Sequence, residues 1–93
     1  MDTDEVGRVL FGRACRLRLA LWIRRQPTQS FFQSQPPADV IAQSVVGDEL
    51  RRLVALGMLI ESRRTGERRV YYRRTTSVLW TVIEAADEAL TVQ

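Results

Sequence analysis

Gln43-Ser44-Val45-Val46-Gly47-Asp48-Glu49-Leu50-Arg51-Arg52-Leu53-Val54-Ala55-Leu56-Gly57 is written in one period, and Met58-Leu59-Ile60-Glu61-Ser62-Arg63-Arg64-Thr65-Gly66-Glu67-Arg68-Arg69-Val70-Tyr71-Tyr72-Arg73-Arg74 in another. Before Gly57, the residues Val46, Leu50, Leu53 and Leu56 recur at steps of three and four. That spacing predicts a helix over about 43–56 with these four on its buried side. Gly57 stands where a left-handed helix cap is wanted. After it, Met58 to Arg64 and Arg68 to Arg74 read as two strands, β-branched and aromatic in the middle of the second, joined by a turn at Thr65-Gly66-Glu67. Alternation turns Val70 and Tyr72 toward the core.

Working outward, the segment before this stretch is punctuated. Phe31-Phe32 sits in a polar loop and reads as a very short strand or a plug under the core. Pro36 and Pro37 suit the first turn of a helix, where no N–H is needed; with Ser34 as cap, a short helix is expected to about Val40. Its link to the helix at 43–56 is tight, so the two helices must cross steeply. Further upstream, Val6, Val9, Leu10, Ala14, Leu17 and Leu21 follow a helical spacing up to Pro27, with Asp2 or Thr3 as cap and a break possible near Gly12. Downstream, Ser77 or Thr76 caps a last helix to about Leu90, with an apolar stripe of Leu79, Val82, Ile83, Ala86 and Leu90.

Charge follows the same division. All 14 basic residues are arginine, and the net charge is +3. Residues 8–25 carry +6 and residues 51–74 carry another +6, between three segments of −3 each. Arginine's planar fork suits phosphate and base edges. A helix, a tight turn, a second helix and then a basic hairpin form a DNA-reading order: the second helix fits the major groove and the hairpin, or wing, lies on the backbone or in the minor groove.

Other classes are set aside by what is missing. At 93 residues a single domain over 1–93 is expected, with a thin core. No histidine and the lone Cys15 leave no zinc site, no Cys/His nucleophile and no internal disulfide; no metal and no cofactor are expected. Without a histidine, a glycine-rich phosphate loop or a carboxylate pair in an evident cleft, an enzyme is not expected. Met1-Asp2-Thr3-Asp4-Glu5 is acidic where a secretory signal is basic. The apolar run from Leu17 to Ile23 is interrupted by Arg18 and falls far short of the ~20 residues that span a bilayer. A cytoplasmic, nucleoid-associated protein without membrane contact is expected.

The chain resembles a known family. Cys15-Arg16-Leu17-Arg18-Leu19-Ala20-Leu21, the run from Ala42 to Leu59, and Arg64-Thr65-Gly66-Glu67-Arg68-Arg69-Val70-Tyr71-Tyr72 look like segments of winged helix-turn-helix regulators of the ArsR/MarR type. The resemblance covers about residues 10–74. It implies an α+β, mostly α, winged helix-turn-helix with a two-stranded basic wing and a C-terminal dimerisation helix. It also implies a homodimeric transcriptional regulator paired through its first and last helices; the expected action is repression by occlusion. Metal-sensing members carry cysteine and histidine pairs, which this chain lacks, so metal sensing is not implied. Gly47-Asp48-Glu49 replaces the family's usual Ser-Arg-His, placing two phosphate-repelling acids on the reading helix.

The expected groove readers are Gln43, Ser44, Val45, Asp48 and Arg51, with Asp48 suited to accept from a cytosine amino group. Arg52, Arg63, Arg64, Arg68 and Arg69 are the expected phosphate contacts. Arg73 and Arg74 are alternatively free to pair with the acidic last helix. Val6, Val9, Leu10, Leu79, Val82, Ile83, Ala86 and Leu90 are the expected dimer surface. Trp22 and Trp80 are expected in the core or interface, and Cys15 as a small buried filler. The second reading, favoured by Asp48 and Glu49, is a winged-helix protein-interaction module that does not read DNA.

Overall fold

Asp2 accepts from the Asp4 N–H at 3.0 Å and caps the first helix, α1 (Thr3–Phe11). Asp4 and Glu5 lie at the positive end of its dipole. Gly12, at φ 86°, then breaks the long helical spacing in two, a backbone angle that a side chain would strain. The second piece is α2 (Ala14–Arg25), closed before Pro27. The computed structural model describes residues 2–91. It continues with β1 (Ser30–Phe32), α3 (Gln43–Ala55), β2 (Leu59–Arg63), β3 (Val70–Arg74) and α4 (Leu79–Thr91). The described residues are thus α+β and mostly helical, with four helices and one three-stranded antiparallel sheet. No helix among them is long and apolar enough to cross a membrane.

The sheet order is β1-β3-β2, with Phe31 opposite Tyr72 and Glu61 opposite Tyr72 on its other side. β1 is the short strand that the two phenylalanines announced. Pleating sends Phe31 inward, where it packs edge-on to Trp22 and stacks on Tyr72, at centroid distances of 5.5 and 5.8 Å.

The segment before α3 departs from expectation. There is no helix from Ser34 to Val40, only a single turn in which the Pro37 carbonyl accepts from the N–H groups of Val40 and Ile41. Side chains of the neighbouring helices hold this turn. Arg18 Nε donates to the Val40 carbonyl at 2.9 Å, and Gln43 Nε2 donates to the Pro36 carbonyl at 3.0 Å. Ala42 is extended and starts α3 afresh.

The far end of α3 follows its local chemistry. Gly57 has φ 77°, its N–H bonds to the Val54 carbonyl, and the Met58 N–H bonds back to the Leu53 carbonyl. The Met58 carbonyl in turn receives the Thr75 N–H and Trp80 Nε1, which ties α4 to the end of α3. Ser77 Oγ accepts from the Leu79 N–H at the start of α4.

α2 is the hub. One side of it, Leu19 and Ile23, joins Phe31, Ile41, Val46, Leu50, Leu59 and Tyr72 in the core beneath the sheet. The other, Leu17, Ala20 and Leu21, packs with Met58 and Ile83 against α4. Each fully buried aliphatic side chain contributes ~1.5–3 kcal/mol. Cys15 is half-buried against the first cluster. Val46 and Leu50 are buried as their spacing requires, and Leu53 partly so. Leu56 is not: it is 59% exposed, at the C-terminal cap of α3.

Candidate nucleic-acid interface

The outward face of α3 carries Gln43, Ser44, Asp48, Arg51 and Arg52, all exposed, while Val45 is half-buried against the core. Gln43 is steadied by its bond to the Pro36 carbonyl. Asp48 pairs with Arg51 one turn along.

Glu49 does not share that face. It is 3% exposed and turned toward α2, where its Oε2 receives Arg16 Nε at 2.9 Å. Its Oε1 has no hydrogen bond among the described residues and lies 3.6 Å from Arg13 and 3.8 Å from Arg52. The expectation that two acids on this helix would repel phosphate is therefore corrected. Helical spacing places Glu49 between Val46 and Leu53 on the inner side, and three guanidiniums meet it there.

The β2–β3 hairpin has two unlike faces. Toward α3 lie Glu61, Arg63 and the Tyr72 phenol, with Arg63 3.6 Å from Glu61 and Tyr72 Oη donating to Gln33 Oε1 at 3.3 Å. Burial pushes the Tyr72 phenol above its usual value; Glu61 adds to this, and Arg51 and Arg63 oppose it. On the opposite face Phe32 and Tyr71 meet edge to face at 6.2 Å. Arg69 lies over Phe32 at 4.5 Å and Arg64 over Tyr71 at 4.3 Å. Arg68 is exposed at the turn.

Helix and hairpin adjoin. A cleft of about 280 Å³ is lined by Gln43 at the start of α3, by Phe32, Gln33 and Ser34, and by Arg68, Arg69 and Val70. Neither Phe32 nor Gln33 was expected at this interface from the sequence. The signal for Phe32 was there, since of two adjacent strand residues one faces out; Gln33 offered none.

Arg74 does not reach the last helix. It donates to the carbonyls of Arg24, Gln26 and Thr28, closing the end of α2. Arg24 and Arg25 instead take the acids of α4, Arg24 contacting Glu84 and Asp87, and Arg25 contacting Asp87 at 2.6 Å. Arg73 is exposed.

The expected dimer residues divide. Ile83 is buried in this chain's own core, and Val6, Ala86 and Leu90 are half-buried against it. Val9 and Leu10 are 75% and 71% exposed, and Leu79 and Val82 are also exposed. Leu10, Leu79 and Val82 border an apolar groove of about 550 Å³ together with Leu56 and Leu53. Trp22 and Trp80 are both half-buried in the core. The described residues hold no cluster of metal-ligating side chains. No family model, curated protein or solved structure matches the chain.

Proposed function

We propose that this chain is a winged helix-turn-helix regulator that binds double-stranded DNA as a homodimer and represses by occlusion. α3 enters the major groove, and the β2–β3 hairpin lies along the flanking backbone or minor groove. The observation that carries the reading is the cleft joining the start of α3 to the hairpin: Gln43 lines one surface with Arg68 and Arg69, which have no ion-pair partner among the described residues. The inward turn of Glu49 favours it further, because Asp48 is then the sole acid on the outer side of α3 and is already matched by Arg51. Gln43, Ser44, Asp48 and Arg51 read base edges, and Arg52, Arg63, Arg64, Arg68 and Arg69 hold phosphates. The reading makes the chain a binding protein, not an enzyme. The second subunit covers Val9, Leu10, Leu79 and Val82, the exposed apolar residues of α1 and α4.

Those same apolar residues, with Leu56, favour the second reading, a winged-helix module whose partner is a protein. Anisotropy of a labelled random-sequence duplex, titrated across salt concentrations, separates the two. A dimer neutralising about six to eight phosphates gives a log–log slope of about −5 to −7. About half that slope marks a single subunit on the duplex, and a slope near zero hands the case to the interaction module.

A further inference from the structure

We propose that Arg64 and Arg69 form a clamp that closes on one phosphate group, with Tyr71 and Phe32 as its positioning residues. The two arginines stand one residue beyond the last ladder pair, Arg63 with Val70, so they face each other across the hairpin. Alternation puts both on the face that carries Tyr71 and Ser62. Like charges opposed on one face of a hairpin repel. Glu67 lies in the turn between them, yet neither guanidinium has an ion-pair or hydrogen-bond partner among the described residues. What each has is an aromatic ring, Tyr71 under Arg64 at 4.3 Å and Phe32 under Arg69 at 4.5 Å.

Stacking on a ring face leaves the N–H edge of the guanidinium unspent. The two rings meet edge to face at 6.2 Å, so both arginines rest on one aromatic pair. Two forks side by side match the several acceptor oxygens of a phosphate better than a planar carboxylate, which one fork satisfies alone. Arg69 also lines the cleft that reaches Gln43, so the clamp lies beside the surface assigned above to DNA. The proposal therefore rests on that reading for its natural source of phosphate, the duplex backbone. The chemistry is the same for free phosphate.

Two arms test the clamp and separate it from the reading it rests on. In the first, random duplex is titrated across salt. Because Arg64 and Arg69 share one phosphate, R64A and R69A singly leave the salt slope nearly unchanged. Together they flatten it by about one per subunit, with roughly a tenfold loss of affinity at moderate salt. Slopes that fall by about one for each single variant and two for the double would mean two separate contacts and overturn the clamp. R64K with R69K keeps the charge and the slope but loses the stacked forks, so affinity drops several-fold. Y71L does the same with both arginines present. Affinity unaltered in both would remove the positioning role, and R64K/R69K, at two exposed positions, does so without any question of folding.

In the second arm, the arginine Nε–H resonances are followed during titration with inorganic phosphate. Arg64 and Arg69 are expected to move together with one midpoint, and to stop doing so in R64K/R69K. Independent midpoints, or no movement, overturn the clamp whatever the duplex does. Joint movement by a protein that ignores duplex keeps the clamp and discards DNA reading.

Discussion

The two arginine blocks, residues 8–25 and 51–74, carry the same net charge of +6 and meet opposite fates. In the first, five of six arginines are spent inside the molecule. Arg13 and Arg16 face Glu49, Arg18 takes Asp4, and Arg24 and Arg25 take Asp87. In the second, Arg64, Arg68, Arg69 and Arg73 have no carboxylate or hydrogen-bond partner among the described residues. A count of charge therefore says nothing about availability. Acids from all three acidic segments fold onto the first block, and the hairpin carries Arg64, Arg68, Arg69 and Arg73 of the second away from them. Basic surface that survives this pairing is the part free to meet an outside anion.

If that contrast is sound, stability and binding should separate cleanly between the blocks. The largest loss of stability is expected at Glu49. Glu49→Ala leaves Arg16 without its buried partner and should cost about 3 kcal/mol by urea denaturation. A cost below about 0.5 kcal/mol would mean that the first block is no more structural than the second.

Next comes Asp87, whose half-buried carboxylate meets two partly exposed guanidiniums. Asp87→Ala should cost about 1 kcal/mol, and the loss should shrink at high salt. The matching controls are Arg68→Ala and Arg73→Ala. Each is expected to move stability by less than about 0.5 kcal/mol, since no carboxylate among the described residues meets its charge.

A pH test sharpens the boundary between the two regions. Tyr72 stands where the core meets the charged inner face of the hairpin, and its phenol is raised above the ordinary 10.0 by burial first and Glu61 second. The neutral phenol is the form the fold prefers. Its contribution is complete below the ordinary value and is lost as pH rises past it through the folded one, because the unfolded chain ionises first. Stability measured from pH 8 to 11 should therefore fall above about pH 10, and less steeply in Tyr72→Phe. Near neutrality that variant loses only the long bond to Gln33, about 0.5–1 kcal/mol. Equal slopes for the two proteins would show that the phenol is not held neutral.

Much of the architecture was legible in residue order because its causes are local. Gly57 ends α3 by its own backbone freedom, Asp2 caps α1 from two residues away, and the change of period after Gly57 marks the hairpin. The turn that replaces the expected helix at 36–40 was not legible. Arg18 and Gln43, from α2 and α3, hold its carbonyls. For the candidate site, the arginines and the outer face of α3 could be named from spacing, but their condition could not. Glu49 and Asp48 are neighbours with the same charge; spacing turns Glu49 inward, but only packing against α2 brings Arg13 and Arg16 to it, while Asp48 stays in solvent. Phe32 and Tyr71 became a shelf for Arg69 and Arg64 only once β1 paired with β3.

By itself the sequence determined periods, caps, turns and the charge of each segment, all of which depend on residues within a turn or two of one another. Tertiary structure alone decided which charges are spent. The partners of Arg16 and Arg24 lie 33 and 63 positions away, and long flexible side chains choose among several acids only after the helices have packed.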